Sequence, residues 1–370
     1  MTLIRRIVAA LAAGWIFYSP LAQALQEVPF LAERVSAGTL PPVADRLPQQ
    51  PLSVDLASLG REPGRHGGEI DILMARGKDT RMMTVYGYAR LVGYDPNMIL
   101  QPDILQNVEV ANNKVFTLHL RPGHHWSDGQ PFTSDDFRYF WEDMAMNEML
   151  SPFGPPDKLV VNGKPARVEI IDALTVRYSW DEPNPYFLPA LAGPRPLYIY
   201  APSHYLKQFH ARYQDEAKLK EEVEFAGVRN WAGLHTRYGH QYKFDNPDLP
   251  SLQPWINTTH PPSERFVFER NPYFHRVDTS GLQLPYIDRV LVNISSAGLI
   301  PAKAGAGETD LQARYLRLDN YPFLMEGGER NGFNVHLWKR GVGSQMALYP
   351  NLNSVDPVWR ALVRDIRFRR

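Results

Sequence analysis

Residues 116–137 read Phe-Thr-Leu-His-Leu-Arg-Pro-Gly-His-His-Trp-Ser-Asp-Gly-Gln-Pro-Phe-Thr-Ser-Asp-Asp-Phe. The reading of this stretch decides the fold. Phe116, Leu118 and Leu120 alternate with Thr117, His119 and Arg121, the period-2 pattern of a half-buried strand. Ser127-Asp128-Gly129 predicts a turn, since Gly tolerates positive φ and Asp can bond its own backbone. Thr133 predicts a helix start: its hydroxyl can cap the first turn, and Asp135 and Asp136 sit at the positive end of the dipole. Phe137, Phe140, Trp141 and Met144 follow at helical spacing.

The run of a strand ending in Leu-Arg, then Trp-Ser-Asp-Gly, then Pro-Phe-Thr and an acidic pair resembles the signature of bacterial extracellular solute-binding proteins of family 5. These receptors feed ABC importers. The segment is read as scaffold, with Trp126 and Asp128 holding a turn rather than a ligand. Further along, Arg270-Asn271-Pro272-Tyr273, Leu284-Pro285-Tyr286-Ile287-Asp288 and Gly307-Glu308-Thr309-Asp310 fall in the order in which similar motifs occur in that family. The resemblance covers about 68–370. It implies an α/β, periplasmic-binding-protein-like (type II, class C) two-lobe clamshell with a small β-rich inserted domain. The C-terminal lobe is expected to be largely missing.

The expected organisation is a signal peptide over 1–24, a Pro-rich arm over 25–68 and a first lobe at 69–93 and 192–332. A β-rich insertion is expected over 94–191, and the start of a third lobe over 333–370. Strands are expected at Glu69–Met74, Val108–Val110, Leu174–Trp180, Arg265–Arg270 and Val290–Ile294, with another directly after Asp310. Phe333–Trp338 and Met346–Leu352 are expected as strands entering the third lobe. A helix is expected over Met82–Leu91. Asn162-Gly163 after Leu159-Val160-Val161 predicts a two-residue hairpin.

Arg5 and Arg6, the apolar run Ile7–Tyr18 and Ala22-Gln23-Ala24 form a cleavable export signal, the apolar run being shorter than the roughly 20 residues a membrane span needs. A periplasmic product is the expectation. The final Asp365-Ile366-Arg367-Phe368-Arg369-Arg370 resembles a run that opens a further helix in the family, so a truncated product lacking one wall of its cleft is expected, with weak binding or none. There is no cysteine, which excludes disulfides, thiolate metal sites and Cys nucleophiles. The 40 basic residues balance 40 acidic ones, so charge gives no case for nucleic acid or an anionic membrane.

No Gly-x-Ser-x-Gly elbow, His-Glu-x-x-His or P-loop occurs. His124 and His125 are adjacent, so their side chains diverge and a metal site is not expected. Asp135-Asp136 and Glu221-Glu222 are read as caps and solvated faces. Ligands of open α/β sheets sit beyond the carboxyl ends of strands. Lys78, Asp79, Thr80 and Arg81, just after the first core strand, are therefore the candidate ligand-binding residues, with Tyr86 as a stacking platform and Asn351 and Asn353 as lesser candidates. No catalytic residue, metal or cofactor is expected. The reading is a monomeric receptor capturing a peptide, oligosaccharide or opine for an ABC permease. The alternatives are a secreted hydrolase of glycans or peptides, or a non-binding remnant of the receptor.

Overall fold

The computed structural model describes residues 25–338 and 348–369; the expected signal peptide, 1–24, lies outside them. The decisive stretch folds as its pattern predicts. Strand Val115–Leu120 pairs antiparallel with Leu105–Ala111 on one side and Thr175–Ser179 on the other, and Arg167–Asp172 completes a four-stranded sheet. Phe116, Leu118 and Leu120 are buried, together with Val176 and Tyr178. Asn112 and Asn113, with φ of 55° and 53°, take the left-handed conformation between the first two strands, which Asn tolerates better than most side chains. Asn162 and Gly163 do the same between Val160–Val161 and Lys164–Pro165.

The turn and helix start are locked together by one carboxylate. Thr133 caps helix Ser134–Arg138 in a capping box with Asp136. The buried Asp136 Oδ2 accepts from the Thr133 N–H at 3.1 Å and the Trp126 indole N–H at 3.0 Å, and its Oδ1 accepts from the Ser203 N–H at 3.1 Å. Asp128 Oδ1 accepts from the Gln130 N–H, so Trp126 and Asp128 do hold the turn. Directly after Asp128, Gly129 sits at φ 87°, and a Cβ there would lie 2.7 Å from the Tyr273 hydroxyl.

A second sheet runs in the order Trp255–Asn257, Arg265–Arg270, Arg289–Ile294, Glu69–Met74. The last two strands, far apart in the chain, are parallel. Ile72, Met74, Phe266, Phe268, Val290 and Val292 form its buried face. The Pro-rich arm is more ordered than expected. It carries helices Pro29–Ser36 and Val43–Arg46, and its strand Leu52–Val54 pairs parallel with Arg276–Asp278. Fully buried Arg46 fastens it, pairing with Glu27 at 2.7 Å and donating to the Pro41 and Pro272 carbonyls.

Asp103 is the other buried junction. It accepts from His275 at 2.8 Å, Arg276 at 2.6 Å and the Arg90 N–H at 2.8 Å. Burial alone would raise its pKa; the Arg276 charge and the His275 bond outweigh burial and hold the carboxyl well below its usual range. The His124 and His125 side chains diverge: His124 is buried 5.1 Å from the His275 ring, and His125 turns toward the Arg46 carbonyl.

Several expectations are corrected. The helix expected over Met82–Leu91 ends at Gly87, because Tyr88 turns left-handed at φ 43°. Phe333–Trp338 carries no strand, nor do the described residues 348–352 of Met346–Leu352; Met346 lies outside the described residues. No strand directly follows Asp310 either; residues 311–338 carry none. Instead, side chains finish the free edge of Glu69–Met74: Asp310 accepts from the Asp71 N–H, and Gln312 both accepts from the Leu73 N–H and donates to the Leu73 carbonyl. Among the described residues no helix is long and apolar enough to cross a membrane.

Helix Ser134–Arg138 runs on as a π-helical turn over Tyr139–Ala145. Buried Tyr139 lies 2.8 Å from His235 Nε2, and burial pushes the Tyr139 hydroxyl pKa up, so the hydroxyl keeps its proton and donates it. Burial first, then the nearby His210, lowers His235 to about 3 from 6.5. The unfolded chain therefore takes up a proton between those values that the folded chain refuses. The resulting stability is complete above pH 6.5 and is lost as the pH falls.

Two outcomes follow. Asp136→Ala should destabilise the fold by about 3 kcal/mol, because it strands three buried donors, and an unchanged urea midpoint would refute that role. Stability measured by urea titration should drop as pH falls from 7 toward 5. His235→Gln should flatten that slope by up to about 1.4 kcal/mol per pH unit, and an unchanged slope would show that His235 titrates normally.

Candidate functional site

The first core strand, Glu69–Met74, delivers the chain to a 3₁₀ turn at Gly77–Arg81. This turn lies at the carboxyl end of the parallel pair, where the Met74 carbonyl also accepts from the Ser295 N–H. Two of the four candidate residues in it face inward. Thr80 is buried, its hydroxyl donating to the Gly77 and Lys243 carbonyls at 2.9 and 3.0 Å. Asp79 is also fully buried, its Oδ2 accepting from the Tyr315 hydroxyl. Lys78 is exposed and Arg81 is partly exposed.

Asp79 Oδ1 lies 3.2 Å from Arg314 and 3.7 Å from Arg81, distances of an ion pair, yet neither contact has hydrogen-bond geometry. The Arg314 guanidinium sits over the Tyr315 ring, 5.2 Å from its centroid. Tyr315 holds φ 66°, a left-handed backbone that is strained for a bulky residue. Burial, then the bond to Asp79, raises its hydroxyl pKa. Tyr86 completes one side; burial raises its pKa too, with the Arg314 charge opposing. The result is a buried anion carrying two cations, bordered by two phenols and Met82, whose sulfur lies 3.8 Å from Arg314.

The structure therefore brings Asp79, Thr80, Arg81 and Tyr86 together and adds Arg314 and Tyr315, which the sequence reading missed. Nothing local announces them: they lie more than 230 positions from Asp79, in a segment expected as a plain strand. Asn351 and Asn353 are exposed and bond within their own turn and to Arg364, away from any hydrogen bond with this cluster. Among the described residues no group of three or more His, Asp or Glu is arranged to hold a metal ion.

The fold is that of a solute-binding protein. Residues 100–370 match the bacterial extracellular solute-binding proteins, family 5 (middle), and the chain belongs to that family. It is 26% identical over 306 residues to the periplasmic alpha-galactoside-binding protein of Rhizobium meliloti, a match that covers 75% of this chain and 40% of that protein. It is 31% identical over 199 residues to the periplasmic oligopeptide-binding protein OppA of Escherichia coli, covering 50% and 31%. A solved oligopeptide-binding protein OppA superposes with a TM-score of 0.78 at 32% identity, over 94% of this chain and 54% of that one. The periplasmic binding protein MelB of Agrobacterium fabrum in complex with stachyose shares the fold, with a TM-score of 0.64 at 24% identity over 82% and 46%. The chain thus spans about half or less of the length of these relatives. They are binding proteins, and the periplasmic-binding-protein fold is common to them and this chain.

Removing the buried anion should cost more than removing its phenol partner. Asp79→Ala, which leaves two guanidinium groups without their counter-charge, is expected to lose about 3–5 kcal/mol, and Tyr315→Phe about 1–2 kcal/mol. Equal, negligible losses in chemical denaturation would place Asp79 outside the packed structure.

Proposed function

We propose that this chain acts in reversible solute capture for an ABC importer, taking up a peptide, oligosaccharide or similar small solute and presenting it to an inner-membrane permease. The observation that carries this reading is the family match across residues 100–370, joined to a solute-binding fold with a strand-end polar cluster. The family resemblance predicts two lobes that close on the solute by hinge motion, the usual transition of such receptors. In this reading residues 69–93 and 192–332 form one lobe and 94–191 the β-rich insertion. The separate sheets at 105–179 and at 255–294 with 69–74 support that division.

Capture needs desolvation and polar pairing, and no bond need be made or broken. Export to the periplasm through a cleaved signal at 1–24, and action as a monomer, complete the reading. The periplasmic names of the relatives support the compartment. Isothermal titration and ligand-observed NMR with short oligopeptides and with stachyose test it. Saturable, reversible binding of at least one of these, with the probe recovered unchanged, is expected. Cleavage of the probe would favour a hydrolase, and the absence of binding by both methods would overturn capture by this chain in favour of the non-binding remnant.

A further inference from the structure

We propose that Arg81 and Arg314, set by the buried Asp79, form a fork for a carboxylate of the solute, so that the cargo carries an acid group. The inference rests on the receptor reading above and narrows its substrate class. One buried carboxylate faces two guanidinium groups, leaving the cluster one positive charge in excess. A buried carboxylate is costly to desolvate unless well bonded, yet Oδ1 of Asp79 has no hydrogen bond among the described residues.

The donors, ion-paired with Asp79, are only partly used. Among the described residues Arg81 donates no hydrogen bond, and Arg314 donates only to the Met82 sulfur while its buried Nε has no partner. The Arg81 and Arg314 side chains remain 35% and 32% exposed, while the Asp79 carboxylate between them is fully buried. Arg carries five N–H donors in a planar fork matched to a carboxylate, and such paired, charged bonds are the strong ones. Tyr315 is held in its strained backbone by Asp79 and underlies Arg314, which restricts that guanidinium before any solute arrives. The location, beyond the carboxyl ends of two parallel strands, is where open α/β sheets take ligands.

Two sources could supply the carboxylate, a peptide C-terminus or a sugar acid, and calorimetry on the full chain separates them. The probes are trialanine against its C-terminal amide, and trigalacturonate against neutral stachyose. The acid of one pair should bind at least about tenfold more tightly than its neutral counterpart. Arg314→Gln and Arg81→Gln should each abolish most of that preference, read as the ratio of acid to neutral affinity within each variant. Thermal melting confirms that each variant is folded, and Arg81, with the longer contact, serves if Arg314→Gln is not. Neutral probes binding as tightly as the acids, or selectivity intact in both variants, would overturn the fork while leaving the receptor reading in place. Binding of no probe at all would remove the receptor reading and the fork with it.

Discussion

The parallel pairing of Glu69–Met74 with Arg289–Ile294 is the constraint on which the rest of the molecule depends. It joins residues 220 positions apart through six register pairs, and an ion pair of 3.0 Å between Glu69 and Arg289 marks its start. Loop-closure entropy grows only slowly with length, so a long intervening chain adds little to the cost of this pairing. Once made, it buries Ile72, Val290 and Val292 against Phe266 and Phe268 and fixes where the strand ends. The turn at Gly77–Arg81 is aimed by that strand end, and Asp79 is buried as a result.

Everything between the two parallel strands hangs from that closure, and Asp103 keeps it from hanging loosely. Its carboxylate gathers the Arg90 backbone, His275 and Arg276, while its carbonyl accepts from Arg121. One residue thus ties the entry to the antiparallel sheet, the end of its Phe116 strand, and the return segment beside the arm. The charge is affordable inside only because two cationic or polar side chains reach it at once.

Strand alternation made much of this legible beforehand. Glu69–Met74 and Arg265–Arg270 fall where their patterns put them, as do the Thr133 cap and the Asn162-Gly163 hairpin. These are local signals, written in neighbouring residues. What escaped was non-local. Asp79 and Thr80 looked like a polar loop, and only the distant Lys243 carbonyl and Tyr315 hydroxyl explain why they turn inward. The Gly307-Glu308-Thr309-Asp310 motif reads as leading into a strand, but the segment after it lies along the edge of the first core strand without forming one. One backbone bond, from the Asp310 N–H to the Asp71 carbonyl, and side-chain bonds from Thr309, Asp310 and Gln312 make the contact in place of a strand ladder. Phe333–Trp338 and Met346–Leu352 read as strands, yet Trp338, Leu348 and Tyr349 are exposed, and the described residues of both runs join no sheet.

The Gln312 amide deserves a last physical reading. A sheet edge with open N–H and C=O groups is a template on which a stray strand from another molecule can polymerise. Here the primary amide mimics a peptide group, offering one donor and one acceptor to Leu73, and Asp310 shields Asp71 next to it. Two side chains therefore act as a selvedge on the sheet. With Thr309, they leave the Asp71 and Leu73 backbone groups at that edge already bonded and closed to pairing with a strand from another molecule.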